Sequence, residues 1–246
     1  MGLRELKKER TRQLIADTAW RLFADRGFDH VAVADVARAA EVSEATVFNY
    51  FRTKEDLFYF RFEQFEAGLV EAVRGRGVGE PALAAFRRAL TQRGGLVDQV
   101  AAGDKQALDR LRTVNRLIAE SPGLRAREDQ ALAHTTDALA DVLAAEAGSK
   151  SDRATALVAA NALIGVHRAL IDYVRRRVLA DDRPEQLAAD LRWVARRAFG
   201  LLERGLADYA PLSPARGDGR PAAGRLPAPA RTSTSPRTTR TAAGPR

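Results

Sequence analysis

Between Ser43 and Lys54 the chain reads SEATVFNYFRTK, dense in side chains that hydrogen-bond and poor in any that catalyse. Asn49 carries an amide whose donor and acceptor match the adenine edge in a DNA major groove. Thr46 can reach a base or a phosphate. Phe48 offers apolar contact, for instance to a thymine methyl, and Tyr50 can donate to a phosphate. Glu44 can accept from cytosine, although a carboxylate in a helix's first turn is also served by solvent and the helix dipole. Ala45 is small, and Ser43 can cap a helix as well as touch DNA. The chemistry on offer is recognition, not bond making.

Such side chains need a rigid support. Val33, Val36, Ala37 and Ala40 recur at helical spacing and predict a short amphipathic helix. Glu41 and Val42 interrupt it, and Ser43 starts a second helix over Glu44 to Phe51. Val47 and Phe51, one turn apart, face inward in this reading, leaving Thr46, Asn49 and Tyr50 outward. Two short helices, a tight turn and an outward hydrogen-bonding face make a helix-turn-helix over about 33–52.

The residues from Phe28 to Leu57, after a helix ending in Arg26 and Gly27, resemble the DNA-binding domain of the TetR family of bacterial regulators. The matching pieces include Leu22-Phe23, Gly27-Phe28, Val36-Ala37, Val42-Ser43, Thr46-Val47-Phe48, Tyr50-Phe51 and Lys54-Glu55-Asp56-Leu57. The resemblance covers roughly the first seventy residues. It implies that Lys54 contacts DNA backbone. It also implies a helical second domain that dimerises and commonly encloses a small-molecule pocket. Two positions depart from the family pattern. Glu41 stands where Gly is usual, which adds roughly 1–2 kcal/mol of strain if the turn is left-handed. Val31 and Ala32 stand where a capping Thr or Ser is common.

Composition narrows the alternatives. The chain has 246 residues, a net charge of +8, no cysteine and three histidines (His30, His134, His167), none paired at i, i+4. Disulfide frameworks and locally built metal sites are disfavoured, no cofactor is expected, and no nucleophile-base motif suggests an enzyme. No apolar run is read as spanning a membrane, and the polar start MGLRELKKERTR carries no signal-peptide core, so the expected location is the cytoplasm, on the nucleoid. Of the excess charge, Arg216 to Arg246 holds seven Arg and one Asp, +6, leaving +2 for the rest. That tail, 211–246, is rich in Pro, Ala, Thr and Arg and is expected to be disordered. It raises a competing function, nonspecific DNA coating.

The expected fold is all-α with about nine helices. A three-helix DNA-binding domain spans 8–68 and a larger effector-binding and dimerisation domain spans 69–210. Its first helix carries the stripe Leu14, Ile15, Thr18, Ala19, Leu22 and Phe23, behind a basic arm that can touch phosphate. The aromatics of the fourth helix, Phe58 to Phe65, are read as core. From Pro81 to Leu206 the pattern is helix after helix. Leu157, Ile164, Ile171 and Val178 recur every seven residues, and Leu191, Val194 and Leu201 line the last helix. These two helices are expected to form a four-helix interface with a second copy. Candidate pocket residues are polar or aromatic positions on apolar helices: Asn115, His134, Asp137, Asn161 and Trp193. For each alone, a satisfied core or interface group is the more ordinary reading. The function expected is a dimeric regulator, most readily a repressor of a palindromic double-stranded operator released by a small molecule. Activation, or regulation without a ligand, uses the same fold.

Overall fold

The computed structural model describes residues 2–92, 96–147 and 152–206. They lie within the unit Met1–Pro214. The second unit, Ala215–Arg246, lies outside the described residues. So do the expected tail at 211–246 and the expected helix end at Gly148 and Ser149. Among the described residues the structure is helical, with ten α-helices: α1 (Leu3–Arg26), α2 (Val33–Ala39), α3 (Glu44–Tyr50), α4 (Lys54–Arg74), α5 (Ala82–Leu90), α6 (Leu96–Ala101), α7 (Lys105–Glu120), α8 (Pro122–Ala147), α9 (Asp152–Leu179) and α10 (Leu187–Leu206).

Ile15, Ala16, Ala19 and Phe23 bury one face of α1 against α2, α3 and α4. Leu14 does not join them and stands half exposed; Ala16 takes its place. Gly27 ends α1 at φ 86, where a side chain would be strained, and its N–H bonds the Phe23 carbonyl at 2.9 Å. Phe58, Tyr59 and Phe60 of α4 are buried, as expected, while Phe65 is exposed. Burying each such aromatic ring stabilises the fold by roughly 1.5–3 kcal/mol.

α4 runs unbroken across the expected boundary at 68–69. The N-terminal core also takes in Val114, Leu117 and Ile118 from α7 and Leu124 from α8. Tyr59 donates to the Leu124 carbonyl at 3.0 Å. The core that supports the reading head is therefore completed by residues from later in the chain. At the far end of α4, the fully buried guanidinium of Arg76 donates to the Val73 carbonyl at 2.7 Å and pairs with Glu146 of α8.

The larger core joins α4, α5, α8, α9 and α10 around Phe86, Leu139, Leu143 and Phe199. One expectation is corrected here. α9 does hold a stretch long and apolar enough to cross a membrane by composition. Its Ala156, Ala160, Leu163 and Ile164 are instead buried in the core, which explains the apolar sequence.

Candidate nucleic-acid interface and a second cleft

The turn between α2 and α3 is built by two hydrogen bonds. Val42 N–H bonds the Ala37 carbonyl at 3.0 Å and Glu41 N–H bonds the Arg38 carbonyl at 3.3 Å. This is a Schellman closure, which needs a left-handed residue after the helix. Glu41 supplies it at φ 56, without the glycine that would adopt it freely. Val42 then packs on the core.

Ser43 caps α3: its Oγ accepts from Thr46 N–H at 3.1 Å and lies 2.8 Å from Thr46 Oγ1. Val47 and Phe51 are buried, as the spacing predicts. Phe51 meets the Phe60 ring edge-on at 5.6 Å, and the Arg12 guanidinium lies 4.5 Å from the Phe60 centroid. These contacts hold α3 against α1 and α4. With that face anchored, Glu44, Ala45, Phe48 and Asn49 are exposed, and Thr46 and Tyr50 are half buried. An exposed Phe48 is costly in water unless something covers it.

At α2 no hydroxyl stands at the cap, as the sequence implies. Asp35 compensates by accepting from Ala32 N–H at 3.1 Å. α4 has a complete capping box: Thr53 Oγ1 accepts from Asp56 N–H at 3.2 Å, and Asp56 accepts from Thr53 N–H at 3.1 Å. Lys54, which the resemblance sets against DNA backbone, is also engaged within the chain. Its ammonium donates to the carbonyls of Phe28 at 3.0 Å and Val31 at 3.2 Å and sits 4.3 Å from the Phe28 centroid. Lys54 thus ties the α1–α2 loop to α4, which leaves one of its three protons for a phosphate.

The expected pocket residues do not converge. Asn115 is buried and satisfies its amide on the Leu111 carbonyl at 2.8 Å. Asp137 is exposed. Asn161 is exposed and bonds the Leu157 carbonyl of its own helix. Trp193 is 53% exposed beneath Arg197. A cleft of about 590 Å³ lies elsewhere, walled by α4 from Glu63 to Arg74 and by α8 from Arg127 to Ala138; of the five, it includes His134. The sequence signal for it was weak. Glu63 and Glu66 stand three apart on an aromatic helix, facing Thr135 on another.

Electrostatics set this cleft apart. Arg127 bonds Asp56 at 2.9 Å and also pairs with Glu63, while Arg74 pairs with Glu71. Glu66 is buried, accepts from the Thr135 hydroxyl and lies 4.0 Å from His167 Nε2. Burial pushes the Glu66 carboxyl above the usual range, with the Glu128 and Glu63 charges adding to it; the Thr135 hydroxyl and Arg127 act the other way. Burial lowers His167 to about 4, so the imidazole is neutral at pH 7.

The expected interface residues divide. Ile164 is buried, and Ile171, Leu191 and Val194 pack on the chain's own core. Leu157 and Leu201 are exposed. The outward stripe of α9 carries Leu157, Val158, Asn161 and Gly165, and that of α10 carries Trp193, Arg197 and Leu201. Asn161 and Trp193 thus stand on outward faces and do not line the α4–α8 cleft. A strict spacing of seven drifts by about 20° per step on a straight helix, so a seven-residue stripe need not stay on one face.

The fold and reading head are those of a helix-turn-helix protein. Residues 15–59 match the family described as bacterial regulatory proteins, tetR family, and residues 80–207 match the MftR C-terminal domain. The chain belongs to the TetR family. It is 29% identical over 153 residues to the HTH-type transcriptional regulator TcmR of Streptomyces glaucescens, a match covering 61% of this chain and 66% of that protein. It is 47% identical over 58 residues to the HTH-type transcriptional regulator LuxR of Vibrio harveyi, covering 21% of this chain and 28% of that protein. The chain therefore spans just under two thirds of the first relative and less than a third of the second. Among solved structures it is similar to the fatty acid degradation regulator FadR from Bacillus halodurans, with a TM-score of 0.47 and 20% identity over 77% of this chain and 95% of that one.

Proposed function

We propose that this chain is a sequence-specific transcriptional repressor, without enzymatic activity, that acts in the cytoplasm as a homodimer on a palindromic operator. The observation that carries this is the face of α3. Phe48 and Asn49 stand free in solvent while Val47 and Phe51 hold the helix to its support. Such a face leaves an aromatic ring and an amide open to a partner, and its donors and acceptors suit base edges. The exposed Leu157, Val158, Trp193 and Leu201 on α9 and α10 support pairing of two copies through these helices. A two-fold dimer sets two reading helices on successive major grooves. The cleft beside α4 offers an effector a place next to the helix that carries the reading head. An effector shifts the DNA-binding equilibrium only by its differential affinity for the two states.

Selection of bound sequences from random DNA tests this reading. A palindrome with two half-sites about one helical turn apart is expected. Recovery of no preferred sequence refutes it.

A further inference from the structure

We infer that the cleft between α4 and α8 takes an organic cation with a compact apolar body, its charge set against Glu66. This rests on the reading of the chain as an effector-responsive regulator. The argument begins with pairing. Arg127 is matched by Asp56 and Glu63, and Arg74 by Glu71. Glu66 also lines the cleft and is 8% exposed, yet its polar neighbours are the neutral Thr135 hydroxyl and the imidazole of His167. Among the described residues no arginine or lysine forms an ion pair with it, and the Arg127 guanidinium, held by Asp56 and Glu63, acts on it only from beyond ion-pair distance. A buried carboxylate without a counter-charge is costly, and an incoming cation removes that cost.

An anion entering the same space meets three carboxylates, Glu63, Glu66 and Glu71, while both arginines are already engaged. Besides His134 and Thr135, the remaining walls are small and apolar: Ala67 and Val70 on α4, Ala131 and Ala138 on α8. They leave room for a hydrocarbon body, and about 590 Å³ lies within the range of small-molecule sites. The upward displacement of the Glu66 carboxyl agrees with this, because the group lacks what a cation supplies. Groups facing Glu66 also include Glu128 from α8, itself paired with Arg175 at 2.6 Å.

Titration calorimetry of the full chain with tetraphenylphosphonium and tetraphenylborate, ions of one shape and opposite charge, tests the assignment. Saturable phosphonium binding at least about tenfold tighter than borate binding is expected, weakened by about tenfold or more in Glu66→Gln. A second variant, Ala67→Phe, fills the cleft without touching the carboxylate and carries the test if Glu66→Gln fails to fold; it should abolish binding. Equal affinity for the two ions overturns the inference. So does unchanged phosphonium affinity in the folded variants, or no saturable phosphonium binding. DNA selection without phosphonium reports separately on the regulator reading. A recovered palindrome alongside absent phosphonium binding removes the ligand class alone. No recovered sequence removes the reading beneath it.

Discussion

Glu41→Gly should stabilise this protein. Glu41 occupies the left-handed position of the Schellman closure at φ 56, and both hydrogen bonds of that closure run through the backbone. The side chain is exposed. Relief of left-handed strain is worth roughly 1–2 kcal/mol. Against it stands the greater unfolded-state freedom of glycine, roughly 0.4–1 kcal/mol. The expected net gain is about 0.5–1 kcal/mol, or a rise of about 1–4 °C in Tm for a chain of this size. Urea and thermal unfolding at one protein concentration would measure it, since dimerisation makes stability concentration-dependent. Glu41→Gln serves as control, because it removes the charge and keeps the strain. If Glu41→Gly gains no more than Glu41→Gln, or loses stability, the strain argument fails.

Further outcomes are expected. Ala32→Ser completes a capping box with Asp35 on α2 and should add about 1 kcal/mol in the same unfolding assay. Asn49→Ala should reduce discrimination between operator and random DNA in footprinting at fixed salt, whereas Lys54→Ala should weaken both alike. Lys54→Ala should also lower stability by roughly 1.5–3 kcal/mol, because two carbonyls lose a charged donor. Equal loss on the two DNAs for Asn49→Ala refutes its base-reading role. Arg76→Ala removes a charged donor from the Val73 carbonyl and from the partly solvated Glu146 and should cost roughly 1.5–3 kcal/mol in urea denaturation. His167 governs a pH effect. Its folded pKa of about 4 lies below the usual 6.5, so the unfolded state binds the proton more readily. The stability it contributes is present above about 6.5 and is lost as pH falls toward 4, by at most about 1.4 kcal/mol per pH unit. Glu66, displaced upward, has the opposite sign, so the effect is read as the difference between wild type and His167→Gln at pH 7 and pH 5. Identical slopes in the two proteins would show that His167 takes up its proton in the folded state as readily as in the unfolded one.

The reading head was legible in the sequence because its signals are local. Ser43 as cap and Val47 and Phe51 one turn apart each act within four residues, so spacing along the chain decides them. The strain at Glu41 was legible as a condition, and the Schellman closure met it. What faces what across the larger domain was not legible. Ile164 and Leu157 look alike in sequence, but the rotation of α9 against α8 and α10 buries one and exposes the other. Lys54 turned toward Phe28 and Val31, a contact across more than twenty residues that no local pattern encodes. The cleft at Glu66 likewise exists because α4 and α8, distant in the chain, meet with small side chains between them. Local periodicity determined the helices and the recognition surface. Which side chains share a space was decided only when the helices packed.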